Sequence, residues 1–126
     1  MTRPFIASVL GGLAIVLYAY AWLAWSTPAH AAQICGNASW YGPAHHGRVT
    51  ASGAVFNQWA MTAAMASRSH LGEVWRVKYN GKSVVVKITD TGGFAKYGRI
   101  IDLSRGAFRK LADEGKGVLP VCLEKL

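Results

Sequence analysis

The alternation of apolar and polar side chains is clearest between Val74 and Thr89. Trp75, Val77 and Tyr79 alternate with Arg76 and Lys78, the period of a strand with one buried and one wet face. Asn80-Gly81 tolerates the positive φ angles of a type I′ turn, so this stretch predicts a tight hairpin that returns through Lys82 to Thr89. On the return, Val84, Val86 and Ile88 share one side and Val85 lies on the other, as expected where both faces are partly covered. Asp90 ends this strand, and Thr91 to Gly98 form a glycine-rich loop, suited to close backbone approach to a ligand or to a plain connection. Another apolar strand follows at Ile100 and Ile101 and ends in a second carboxylate, Asp102. Ser104 has the chemistry of an N-cap for a helix through about Ala112, with Ala107, Phe108, Leu111 and Ala112 as its apolar stripe and Gly115 or Gly117 as its stop. A last strand, Val118 to Leu123, carries Cys122.

The first residues follow a different pattern. Arg3 precedes an apolar run from Phe5 to Trp25, then Ser26-Thr27-Pro28 and Ala29-His30-Ala31. That order of charged, apolar and small residues is a secretory signal with cleavage after Ala31, although a run of this length also suits an uncleaved anchor. Two segments are therefore expected, a leader over 1–31 and one domain over 32–126. Ile34 before Cys35 does not suit lipid attachment, which needs a small residue there.

Charge narrows the surroundings. The chain carries 14 Lys and Arg against six Asp and Glu, a net charge of +8, and only Arg3 of the basic residues lies in the leader. Such an excess suits a polyanionic setting, namely wall polymer, lipid headgroups or nucleic acid, or else a merely solvated basic surface. Export argues against nucleic acid. Cys35 and Cys122 stand at the two ends of the domain and are expected to pair in an oxidising compartment. Closing so long a loop contributes up to about 4 to 5 kcal/mol in the chain-entropy picture. Neither cysteine has a His or Cys at ligand spacing, so no metal and no cofactor are predicted.

Asp90 and Asp102, each at the end of an apolar strand, are the candidate catalytic groups. A carboxyl with a raised pKa can protonate a glycosidic oxygen, and a second carboxylate can stabilise the oxocarbenium-like transition state. Each has a structural alternative: Asp102 could order backbone N–H groups at the helix start, and Asp90 could close an Asx-turn. Trp40 and Tyr41 are adjacent, so on a strand one packs inward while the other is free to stack on a sugar ring. His45 and His46 fit a surface loop better than a metal site, His70 has no evident partner, and Glu73 reads as a solvated charge. Arg48, Arg68, Lys96 and Arg99 flank these segments and could meet carboxylates on a substrate or form a solvated rim.

The segments ASWYG (38 to 42), HGRVTASG (46 to 53), AMTAAM (60 to 65), LGEVWRV (71 to 77), ITDTGGF (88 to 94) and GRIIDLSRGAF (98 to 108) resemble, in this order, rare lipoprotein A-like proteins. The last third, with GVLPV (117 to 121), is also similar to the first domain of expansins. The resemblance implies a mainly β fold, a six-stranded double-psi β-barrel with one or two short helices. It implies an exported peptidoglycan-processing protein of the bacterial periplasm or cell envelope. Such proteins are lytic transglycosylases that cut glycan strands and leave 1,6-anhydro ends. The alternative it implies is an expansin-like wall-glycan-binding module. The family's Glu after TASG is Ala54 here, its His after TAA is Met65, and Thr91-Gly92-Gly93 replaces the Arg-Gly-Pro that follows its Asp. Asp90 keeps that Asp, and Asp102 matches the expansin-type IDLS aspartate. The departures leave the question of catalysis open. Expected substrate contacts are Trp40, Tyr41, His46, Arg48, Phe94 and Arg99, with His46 at the groove edge as the HGR motif implies. The expected partner is the peptidoglycan glycan strand, bound by a monomer that meets a membrane only through an uncleaved leader. A barwin-type inhibitor would carry a richer cysteine framework.

Overall fold

The computed structural model describes residues 32–126; the expected leader and its cleavage site lie outside the described residues. Six strands, β1 (Gln33–Tyr41), β2 (Thr62–Met65), β3 (Val74–Tyr79), β4 (Lys82–Thr91), β5 (Arg99–Ser104) and β6 (Leu119–Lys125), close into a barrel in the order β1-β5-β2-β4-β3-β6. β1 with β5 and β2 with β4 run parallel, and the other neighbours antiparallel. The mainly β, closed barrel agrees with the fold expected from the sequence. Closure satisfies each strand on both sides and removes the free edges that would template aggregation.

The hairpin forms where the alternation placed it. Asn80 and Gly81 take φ of 45° and 77°, and Trp75 pairs with Val86 and Val77 with Val84 across the ladder. These four point into the barrel, where Ala38, Ala63, Ile88, Ile101, Leu103, Leu119 and Leu123 join them with almost no exposure.

One end of this core is covered by α1 (Arg105–Leu111), which contributes Ala107, Phe108 and Leu111. Its N-cap is the expected Ser104, fully buried, whose Oγ accepts from Ala107 N at 3.1 Å and donates to the Ala60 carbonyl at 2.5 Å. Gly106 lets the helix start rest against the backbone before β2: a Cβ there would lie 2.4 Å from the Trp59 carbonyl oxygen. The helix ends near Ala112, as expected, though neither Gly115 nor Gly117 stops it. Ala112 turns extended, and Arg105 grips Glu114 with two N–H groups at 2.7 and 2.8 Å, folding the following turn back over the helix. Gly117, at φ 69°, instead closes the single 3-10 turn Glu114–Lys116.

Cys35 and Cys122 sit directly opposite each other on β1 and β6 and form the expected disulfide, 87 residues apart in sequence. The bond joins the first strand to the last, so it restricts nearly the whole unfolded domain. Replacing both cysteines by serine is expected to lower unfolding free energy by about 2 to 4 kcal/mol, read from the urea midpoint at unchanged m-value. Gly106→Ala forces overpacking against main chain that cannot rotate away, and a loss of about 1 to 3 kcal/mol is expected in the same assay.

Candidate active site

Along β5, Ile101 and Leu103 are fully buried, so Asp102 between them points to the outside of the barrel. Its ladder partner Ser39 on β1 points the same way, as does Ala64 on β2. Asp90 requires a different explanation, because simple alternation from Ile88 would aim it into the core. The β2–β4 register passes from Ala63↔Ile88 directly to Ala64↔Asp90, leaving Thr89 as an extra residue. This bulge re-aims Asp90 onto the outer face. A second bulge acts likewise between β1 and β5, where Asn37↔Arg99 is followed by Ala38↔Ile101 and Ile100 is the extra residue. It turns Arg99 out beside Asp102. Ile100 lies over Gly36, where any Cβ would come within 2.8 Å of its side chain.

Ala64 thus pairs with Asp90 on one side and Asp102 on the other. Two interstrand steps of about 4.8 Å set the two Cα atoms roughly 9 to 10 Å apart, with a single methyl group as the floor between them. The cleft above has a volume of about 420 Å³, and Tyr41, His45, Phe94, Lys96, Tyr97 and Arg99 complete its walls.

The two carboxylates have different surroundings. Burial pushes the Asp102 carboxyl above its ordinary value; a hydrogen bond from Ser39, then the charges of Arg99 and His45, pull it back, and Asp90 adds to the rise. Ser39 Oγ donates to Asp102 Oδ1 at 2.8 Å and accepts from Arg99 Nη1 at 2.5 Å, so one hydroxyl links the guanidinium to the acid. Asp90 Oδ1 accepts from Thr91 N at 2.9 Å and from Ala51 N at 3.1 Å. The first bond is to the adjacent residue rather than the i+2 bond of the Asx-turn foreseen as its alternative role, and the second ties down the loop carrying Ala54. Oδ2 takes no hydrogen bond from the described residues, and Asp90 is part of the cleft lining. Tyr41 stacks on Phe56 at 4.4 Å, and its hydroxyl is buried without a hydrogen-bond partner among the described residues. Burial, then Asp90 and Asp102, drive its pKa far above the ordinary value, so the phenol stays neutral.

Asp90, Asp102, Tyr41, Phe94 and Arg99 therefore meet at one cleft, while three expected contacts do not. Trp40 faces the other way, as alternation demands of a neighbour of Tyr41: it packs 6.3 Å from Phe108, and its Nε1 donates to the Glu114 carbonyl at 3.0 Å. His46 is spent on the turn, its Nδ1 accepting from Gln58 N at 3.1 Å, so His45 is the imidazole at the cleft. Arg48 is exposed on the 47–56 loop, outside the cleft lining. Phe94 is buried and supports Arg99, whose guanidinium lies 5.6 Å from its ring centre. Sequence reasoning passed over Ser39, although it lies two residues before Tyr41 on one strand and so shares its face. It also passed over Tyr97, which is 67% exposed at the rim. His70 and Glu73 are partners after all: Glu73 binds His70 Nδ1 and, at 2.6 Å, Lys125, and both hold its carboxyl below the usual range, Lys125 more strongly. Among the described residues no three His, Cys, Asp or Glu side chains gather as a metal site.

Residues 33–123 match the family described as lytic transglycolase. The chain belongs to that family. It is 50% identical over 93 residues to the probable endolytic peptidoglycan transglycosylase RlpA of Synechocystis, covering 71% of this chain and 28% of that protein. Against RlpA of Pseudomonas aeruginosa the identity is 41% over 98 residues, covering 76% and 28%. The chain thus spans less than a third of the length of these two relatives. Among solved structures, an expansin mutant from Clavibacter michiganensis in complex with cellohexaose superposes with a TM-score of 0.63 at 20% identity, over 75% of this chain and 50% of that one. The Streptomyces papain inhibitor does so with 0.61 at 22%, over 75% and 94%. At such identities the likeness is one of fold, and it supports the double-psi barrel assignment of this transglycolase-family domain.

The Asp102 environment gives a signed prediction. A folded-state value above the unfolded one means that the folded protein holds this proton more tightly. The stabilisation is therefore complete at low pH and is lost as pH rises from about 4 through the folded value. In urea titrations from about pH 3 to pH 8, Asp102→Asn should gain on the wild type as pH rises across that window. Ser39→Ala, which removes a bond favouring the ionised form, should raise the Asp102 pKa further, as read by carboxyl carbon NMR.

Proposed function

We propose that this domain is an endolytic lytic transglycosylase acting on peptidoglycan glycan strands in the bacterial cell envelope, exported to the periplasm. The observation that carries the reading is the pairing of a carboxyl that burial inclines to keep its proton, Asp102, with a second carboxylate, Asp90, across Ala64. Asp102 donates its proton to the glycosidic oxygen as the C1–O bond breaks. The free oxygen of Asp90 stabilises the positive charge that develops on the sugar ring. The sugar's own C6 hydroxymethyl oxygen then attacks C1, and its proton passes to the Asp102 carboxylate. The acid is restored, no water is added, and the product ends in a 1,6-anhydro ring. Asp90, which keeps the family's aspartate, is thus the stabilising carboxylate in this reading, and Asp102 of the IDLS motif is the acid.

Tyr97, exposed at the rim with Lys96 and Arg99 near its ring, adds a stacking surface to the one expected of either Trp40 or Tyr41. Lys96 and Arg99 can meet the lactyl carboxylates of the strand. Both carboxylates come from one chain, so a monomer suffices.

A second reading, an expansin-like glycan-binding module, is favoured by Ala54, which is exposed and supplies no carboxyl where the family carries Glu. Incubation with purified sacculi separates the two. Release of 1,6-anhydromuropeptides is expected from the wild type, falling about 100-fold or more in Asp102→Asn and in Asp90→Asn. The rate should also decline as pH rises through the Asp102 value, because the acid form is then lost. Protein that pellets with sacculi and releases no product leaves the binding module as the function.

A further inference from the structure

Trp59 is 46% exposed, on the turn that leads into β2, although its backbone is tightly held. Its N–H donates to Asn57 Oδ1 at 3.0 Å, and the Ala60 N–H reaches the Asn57 carbonyl at 3.1 Å. The Gly106 N–H reaches the Gln58 carbonyl at 2.8 Å, which ties this turn to the start of α1. The indole lies beside two arginines of that helix, Arg105 at 4.9 Å and Arg109 at 5.6 Å from its ring centre. They differ in freedom. Arg105 grips both carboxylate oxygens of Glu114, reaches Gln58 Oε1 at 3.3 Å and lies 5.7 Å from the Trp40 ring centre, so it is a fixed neighbour. Arg109 is exposed and has no ion-pair partner among the described residues. Neither Trp59 nor Arg109 lines the cleft.

We propose that Trp59 and Arg109 form a second glycan contact, outside the cleft, for a sugar ring that bears a carboxylate. The exposed indole takes the apolar face of the ring, and the unpaired guanidinium takes the carboxylate with two N–H groups. Asn57 and Gln58 have each used the side-chain oxygen, on Trp59 N and on Arg105, so their amides offer N–H donors to the sugar oxygens. Two guanidinium groups beside the indole repel a cationic partner, and the donors around it do not suit a broad apolar one. A polyanion without sugar rings would engage Arg109 and leave the indole idle. The contact holds the domain on an acidic glycan without occupying the cleft. It uses none of the residues assigned to bond cleavage, so it stands or falls apart from the catalytic reading.

The indole N–H signals in proton–nitrogen NMR test it, with the Trp59 signal assigned by its loss in Trp59→Phe. An oligogalacturonate should shift that signal saturably, and added salt should weaken the binding. The uncharged cellohexaose should bind about fivefold less tightly or worse, and Arg109→Gln should weaken the sugar acid by about the same factor. Tyr97→Ala at the cleft should leave the Trp59 shift unchanged. In that background, calorimetry of Trp59→Leu should show about a tenfold loss, with folding checked by the urea midpoint. Arg109→Gln, a change at an exposed side chain, carries the test if Trp59→Leu does not fold. A Trp59 signal that the sugar acid does not move, a shift lost in Tyr97→Ala, or a silent Arg109→Gln overturns the proposal. Polyglutamate binding as tightly as the sugar acid, with Trp59→Leu silent, reduces the face to a charged surface and overturns it too. Phosphatidylglycerol vesicles that perturb Trp59 where the sugar acid does not would make the face a membrane contact instead.

Discussion

Closure of the barrel is the constraint on which everything else in this domain depends. Once each strand is paired on both sides and the interior is filled by Val77, Ile88, Ile101, Leu103 and their neighbours, ladder parity decides which side chains face out. A polar group can join the site only where its parity already suits, as for Ser39 and Asp102, or where a bulge changes it, as for Asp90 and Arg99. The site is thus assembled from two regular positions and two irregular ones. The irregular pair is held in place by the same core that forbids them the interior.

This explains which features could be read from the sequence. The hairpin, the Ser104 cap and the disulfide are each set by short-range chemistry or by position in the chain, and each emerged as expected. The motif series carried the barrel and drew attention to both aspartates. The bulges could not be read, because Ile88-Thr89-Asp90 alternates without interruption and the extra residue exists only relative to the partner strand. β2 is four residues of small and medium side chains, too short to show a period, yet it supplies the floor between the carboxylates. Trp40 and His46 were misplaced for a shared reason: each has a neighbour of similar chemistry, Tyr41 or His45, and only the direction of the backbone decides which of the two reaches the cleft. The helix end near Ala112 was legible from the apolar stripe, but its stop was not, because Ala112 turns extended and Arg105 pairs with Glu114 before any glycine is reached.

The two aspartates are similar groups in different settings, to which the proposed mechanism gives different tasks. Asp102 sits in a drier environment and receives a neutral hydroxyl as its nearest partner, with Arg99 acting through that hydroxyl. Asp90 receives two main-chain N–H groups on one oxygen and keeps the other free. Burial that raises the Asp102 pKa suits proton donation in the proposed mechanism. Tyr41, on the wall of the same cleft, is a phenol kept neutral by burial first and by the two carboxylates second.

The bridge between Cys35 and Cys122 also changes what damage means for the domain. Covalently, the segment between these residues is a ring. A protease that cuts it once, at the exposed 47–56 loop or elsewhere, converts the ring into an open chain whose two pieces cannot diffuse apart. The severed strands keep their neighbours at high effective concentration, and only reduction of the bond separates them. For a protein expected to work outside the cytoplasm, one cross-link at the first and last strands protects every loop between them.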